Sequence, residues 1–269
     1  VSKKLYHTFI SVFFFTFILI ISSELKAKEH QPFLMAIPSF PPFYFPPHSI
    51  EAREFNRKGI SVLYVENLAK QVNFPIQIVL IPYARISSSL EKGEIDGAIM
   101  FKNEDAKNKV QYIGPVSSSK VVIFPEKNRP IRTYQDLHTL NSIAVVRGAN
   151  FDNRFDNDEQ LDKYFVRDYT QGVKMFKRKR AEGIIGALEG LDYSFRKAGV
   201  FETDHGEPVY LSDKETWLHV SNNSSYAKQT EELSNAVEHL YAPYLFYSLY
   251  ASELENNALS RIGDITLIK

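Results

Sequence analysis

The chain of 269 residues has no cysteine. That excludes disulfides, thiolate metal sites and a lipid anchor attached through cysteine, so the core alone must hold the fold. Charge of one sign is also lacking, since 32 basic residues balance 32 acidic ones. Such a surface argues against nucleic acid as a partner. The seven histidines (His7, His30, His48, His138, His205, His219 and His239) are scattered and form no paired metal spacing. There is no glycine-rich phosphate loop, nucleophile elbow or CxxC. No cofactor is expected. The apolar run Phe9–Ile21 is 13 residues long, interrupted by Ser11 and Thr16. It is short for a membrane span of roughly 20 residues. Lys3 and Lys4 precede it and the polar stretch Ser22–Ala27 follows. This reads as a cleavable signal peptide, residues 1–27, with export to the periplasm of a Gram-negative bacterium. Its removal takes away Lys3, Lys4, Lys26 and Glu24, leaving 242 residues with a net charge of −2.

What is present in quantity is aromatic: twenty Phe and fifteen Tyr. They suit core packing first and an aromatic ligand site second. Apolar runs alternate with helical patterns. Phe33–Ile37 reads as a strand, followed by a proline-rich loop, Pro38–Pro47. A helix is predicted near Ile60–Val72, with Val62, Val65, Ala69 and Val72 on one face. Ile76–Ile81 reads as a strand covered on both faces. A helix over Tyr83–Lys92 leads to a strand at Ile95–Met100. A second unit repeats the order. It has a strand at Ser142–Val146, a helix opened by Arg147-Gly148-Ala149-Asn150, a short strand at Val166, a helix from Thr170 to Arg180 and a strand at Glu182–Gly186. Glu94–Ile99 and Arg180–Ile185 share one pattern of charge, apolar, acid, glycine, apolar, apolar, apart from the alanine at the second position being small. Lys120–Phe124 and Pro208–Leu211 read as extended joins, with a strand at Thr216–Val220 and a C-terminal helix from Ser225. The implied fold is α/β, with two lobes, each around a mostly parallel sheet, and two hinge crossings. Residues 28–117 and 213–269 form the first lobe and 118–212 the second.

Four segments carry a resemblance. They are Phe40-Pro41-Pro42-Phe43 with Gly59–Leu63; Pro82-Tyr83-Ala84-Arg85 with Leu90–Gly97; Tyr112-Ile113-Gly114-Pro115; and Asp136-Leu137 with Ala144–Gly148 and Arg180–Gly186. In order and spacing the chain resembles the extracellular solute-binding proteins of family 3, receptors of polar amino-acid ABC transporters. The resemblance implies a monomer of periplasmic-binding-protein fold that closes on a small molecule. It implies an ABC-transporter permease or a membrane sensor as partner.

The resemblance also implies a site. Its stacking aromatic falls on Phe40, with Phe43, Tyr44 and Phe45 nearby. Its carboxylate-gripping arginine falls in a segment without arginine, where Lys107 or, by another register, Lys109 would substitute as a point charge. Its helix N-terminus falls on Gly148-Ala149-Asn150, with Arg147 as an added cation. Its ammonium-binding aspartate falls on Ala187, so Glu189 would have to replace it. Arg85 is a further candidate for an anionic group, or a structural partner of Asp96 or Glu94. The expected ligand is amino-acid-like, an organic anion or aromatic. The chain is expected not to be an enzyme. A resemblance to cyclohexadienyl dehydratases, with Glu189 as the acid, is the alternative.

Overall fold

A computed structural model describes residues 31–102 and 106–255. The signal-peptide reading lies outside these residues. The first half of the chain builds β1 (Phe33–Pro38), α1 (Ile50–Phe55), α2 (Ile60–Ala69), β2 (Ile76–Ile81), α3 (Tyr83–Lys92) and β3 (Gly97–Phe101). Two long strands follow the same crossing path, β4 (Val110–Pro125) and β8 (Val209–Ser221). Between them lie β5 (Ile143–Val146), α4 (Asn153–Asn157), β6 (Lys163–Val166), α5 (Tyr169–Lys177), β7 (Gly183–Ala187) and α6 (Leu188–Ala198). The chain then returns through α7 (Glu231–Leu240) and α8 (Leu245–Glu255), which pack on β4 and on α2 of the first half.

The strand order is β2-β1-β3-β8-β4-β7-β5-β6. Exchanging β1 with β5, β2 with β6, β3 with β7 and β4 with β8 reproduces the same order read backwards. The two halves are therefore one motif used twice. In each, three strands run parallel, β2-β1-β3 and β6-β5-β7. An antiparallel crossing strand closes each set. The repeated glycine pattern marks equivalent places, because Gly97 opens β3 and Gly183 opens β7.

The two halves share one continuous sheet of eight strands. The cause is the pairing of β4 with β8 along nearly their whole lengths, from Val110 opposite Ser221 to Ile123 opposite Val209. At 16 and 13 residues these strands far exceed the usual five or six. Three register shifts interrupt the pairing, one beside Pro115, which has no N–H to give the ladder. Ser117 and Ser118 hold the returning chain to β4, their hydroxyls accepting the N–H groups of Phe246 and Tyr244 at 3.1 Å.

Local corrections follow from capping and packing. The second-half helix does not open at Arg147–Asn150 but at Asn153. Gly148 turns the chain at φ +80°, Ala149 N–H closes on the Val146 carbonyl, and Asp152 caps the helix by accepting the Arg154 and Phe155 N–H groups. The helix expected from Thr170 starts at Tyr169 because Asp168, not Thr170, takes the Gln171 N–H. On α2 the buried face is Ile60, Ser61, Tyr64, Val65 and Leu68, while Val62 is only half-buried. The C-terminal helix starts at Glu231, after the turns that follow Ser225.

Candidate functional site

The carboxyl ends of the parallel strands from both halves face one cavity of about 40 Å³. Ligands in open α/β sheets bind outside such strand ends. From the first half come Pro38 at the end of β1, Phe40 and Phe43 in the loop after it, Ser61 on α2, Tyr83 on α3 and Ile99–Phe101 on β3. From the second come Val146 at the end of β5, Ala149 after it, Tyr169 on α5, Ala187 closing β7 and Glu189 on α6. Thr216 of the crossing strand β8 and Phe246 of α8 complete the wall.

The proline-rich loop is fixed over α2 by the helix's own spare donors. Ile60 N–H reaches the Pro42 carbonyl at 3.0 Å and Ser61 N–H the Phe43 carbonyl at 3.1 Å. Four N–H groups at a helix start need such partners. A Cβ at Gly59 would stand 2.5 Å from the Phe43 carbonyl oxygen, so only glycine lets the two backbones approach. This pinning sets Phe40 edge-on against Phe43 and Tyr169, with centroids 5.5 and 5.8 Å away, and 6.3 Å from Tyr83.

Tyr83 and Tyr169 are equivalent residues. Each is the first residue of the helix after the second strand of its half. Each lies 14 residues before the glycine that opens the third strand, Gly97 or Gly183. Each hydroxyl accepts the N–H of that strand's last residue, Phe101 for Tyr83 and Ala187, at 3.0 Å, for Tyr169. A phenol that accepts an N–H keeps its own proton to donate. Burial pushes the Tyr83 phenol up to about 12 and drives Tyr169 higher, so both stay protonated at physiological pH. Tyr169 stands between Gly186 and Gly190, where any Cβ would overlap its ring.

Glu189 is the site's acid, 1% exposed in the first turn of α6. Its Oε1 accepts the Ser119 hydroxyl at 2.6 Å. Its Oε2 is buried without a hydrogen-bond partner. Burial raises the carboxyl to about 7, and the bonds from Ser119 and from the Glu189 backbone N–H offset only part of that cost. Ser61 Oγ is a second buried oxygen without a partner in the wall.

Of the residues singled out from sequence, Phe40, Phe43, Ala149 and Glu189 come together around this cavity. Tyr44 is half-buried behind Phe43, and Asn150 is half-buried beyond Ala149. Gly148 is exposed and touches the first half, its would-be Cβ 2.9 Å from the Ala84 Cα. The four cations stand elsewhere. Arg85, Lys107, Lys109 and Arg147 are exposed, and Lys109 pairs with Glu91 at 2.9 Å. Asp96 and Glu94 have other partners, Asp96 taking the Leu34 N–H and Ser224 hydroxyl and Glu94 the Ser89 hydroxyl. Tyr83, Tyr169, Ser61 and Phe246 were not singled out. The equal spacing of the two tyrosines ahead of the two glycines was the available signal.

Among the described residues no helix is long and apolar enough to cross a membrane, and no group of three or more His, Asp or Glu is placed to hold a metal. No curated protein matches the chain in sequence. Solved structures show the same fold. Holo ArgBP from T. maritima is 20% identical, with a TM-score of 0.62 over 86% of this chain and 99% of that one. The GluR0 ligand-binding core from Nostoc punctiforme in complex with L-glutamate is 18% identical, with a TM-score of 0.63 over 83% and 98%. A histidine kinase sensor domain with similarity to periplasmic binding proteins is 14% identical, with a TM-score of 0.65 over 84% and 96%. The model of one family covers residues 38–242, from the end of β1 to just beyond α7. The chain belongs to the bacterial extracellular solute-binding proteins, family 3.

Proposed function

We propose that the chain, exported to the periplasm, captures a small solute in the cavity between its halves and presents it to a membrane partner. The observation that carries this reading is the convergence of four strand ends, from both copies of the motif, on one partly open cavity with a buried acid. A ligand there touches both halves at once and favours their closure, since only a differential contact shifts such an equilibrium. The hinge is the paired crossing of β4 and β8 around Ser117–Ser119, with residues 28–117 and 213–269 moving against 118–212. Phe40, Phe43, Ala149 and Glu189 are the contacts. The partner is an ABC-transporter permease or a membrane sensor, and the sensor-domain neighbour supports the second.

Native mass spectrometry of the protein after exposure to a metabolite extract tests the reading. A bound small molecule should appear in the wild type and vanish in Ala149→Trp, which fills the cavity. Retention in the variant would place the ligand elsewhere. A second reading, acid–base catalysis, has one observation in its favour: a carboxyl near 7 is suited to general acid work. Turnover of prephenate or arogenate by the purified protein would establish it.

A further inference from the structure

We infer that the ligand is a small alkylammonium ion that carries at least one N–H and no carboxylate. The inference rests on the proposed capture of a solute in this cavity and names what the cavity selects. Glu189 lines it, is 1% exposed, and holds one carboxylate oxygen without a hydrogen-bond partner. Such an oxygen in a mostly apolar wall favours a donor, and a positively charged donor offsets the cost of burying the charge. Ser61 Oγ, in the opposite half of the wall, is the second oxygen left for the same ligand.

The rest of the wall suits a cation. Phe40, Phe43, Tyr83, Phe101, Tyr169 and Phe246 surround the space. Aromatic faces attract ammonium groups, and walls of this kind with one carboxylate are how cations are held without full hydration. An acid group on the ligand has no matching charge. Among the described residues no lysine or arginine lines the cavity, and Arg85, Lys107 and Arg147 are exposed. The short helix after β5 offers no anion site either, because Asp152 already occupies its first N–H groups and adds negative charge there. An amino acid would satisfy Glu189 with its ammonium and leave its carboxylate against rings. The space of about 40 Å³ is far below the 300 Å³ or more of ordinary ligand pockets, so the apolar body is compact.

Isothermal titration with three probes of one carbon skeleton tests this. Isobutylammonium has the ammonium alone, isovalerate the carboxylate alone, and valine both. Isobutylammonium should bind at least tenfold tighter than the other two. Glu189→Gln should weaken it at least tenfold, and Ala149→Trp should abolish it. Tighter binding of valine or isovalerate, or an isobutylammonium affinity within twofold in Glu189→Gln, overturns the ligand class. If that binding is still lost in Ala149→Trp, the capture site stands. Binding of any probe that survives Ala149→Trp overturns both the class and the site. Absence of binding by all three overturns the class, and the extract experiment then decides the site.

Discussion

Glu189→Gln should stabilise the unliganded protein at pH 8 and change it little at pH 5. The carboxyl titrates near 4.5 when ordinary and near 7 in the fold, because burial disfavours its charged form. Below pH 4.5 it is protonated in both the folded and unfolded chains and contributes nothing. Between 4.5 and 7 the unfolded chain releases the proton while the folded chain keeps it, so stability falls as pH rises. Above 7 the full penalty applies, about 3 kcal/mol at roughly 1.4 kcal/mol per pH unit. Glutamine is neutral throughout and keeps an acceptor for Ser119. Its amide group is itself buried without a partner, which removes part of the gain and leaves about 2 kcal/mol. The neighbouring phenols do not interfere, since Tyr83 and Tyr169 stay protonated through pH 8. Urea unfolding of both proteins at pH 5, 6, 7 and 8 gives the difference free of every other titrating group. It should grow with pH and level off above 7. A difference that stays constant across the series, or a variant less stable than wild type at pH 8, would refute the argument.

Gly148→Ala places a side chain at φ +80° and 2.9 Å from the Ala84 Cα, so it should force the halves apart at the cavity mouth. Small-angle scattering should show a larger radius of gyration, with stability reduced by about 1–2 kcal/mol. Gly190→Ala overlaps the Tyr169 ring, which is boxed in by Gly186 on the other side. Overpacking of this kind should cost about 1–3 kcal/mol in denaturant unfolding. Glu51→Ala removes the acceptor that joins α1 to Tyr193 and Lys197 of α6, at 2.8 and 2.7 Å. Leaving the buried Tyr193 hydroxyl unpaired should lower stability by about 1–3 kcal/mol, and Tyr193→Phe in the same background should recover part of it.

The inner parallel strands were legible because they are covered on both faces or nearly so, which writes them as continuous apolar runs, whereas β2, expected to be covered on both faces, and β6 are the sheet's edges and expose Gln77, Leu80, Tyr164 and Phe165. Ile143–Val146 and Gly183–Ala187 are wholly buried and could be placed within a residue or two. The crossing strands were legible only in pieces. Asp213-Lys214-Glu215 interrupt β8 with charge, and Pro115 interrupts β4. Both strands run on regardless, because each supplies the other's ladder at the point where its own pattern fails. The helix α8 had no readable period, since Leu245-Phe246-Tyr247 and Leu249-Tyr250 are apolar nearly all round. Only Phe246 and Tyr250, at spacing four, are fully buried. In the site, the loop aromatics and Glu189 could be found by position. The cations could not, because a lysine's position in a segment does not fix which way its long side chain leaves the surface. Arg85, Lys107 and Arg147 are all exposed and absent from the cavity wall.

The position of Glu189 makes its raised proton affinity more informative than a buried acid alone would be. It sits in the first turn of α6, where the helix dipole and a backbone N–H both favour the anion. That field is worth up to about 2 kcal/mol in a partly buried setting. Ser119 adds a further bond to the charged form. Burial outweighs all of this and still leaves the carboxyl near 7. In the first half β3 ends at Phe101, and in the second β7 ends at Ala187 and passes straight into α6. The motif is used twice with its tyrosines and glycines in register, and its second copy places a buried acid two residues beyond the third strand. On the proposed capture of a solute, the acid with its unpaired oxygen is met by a partner from outside the chain, and the cavity that opens onto both halves is where such a partner would couple charge neutralisation to closure.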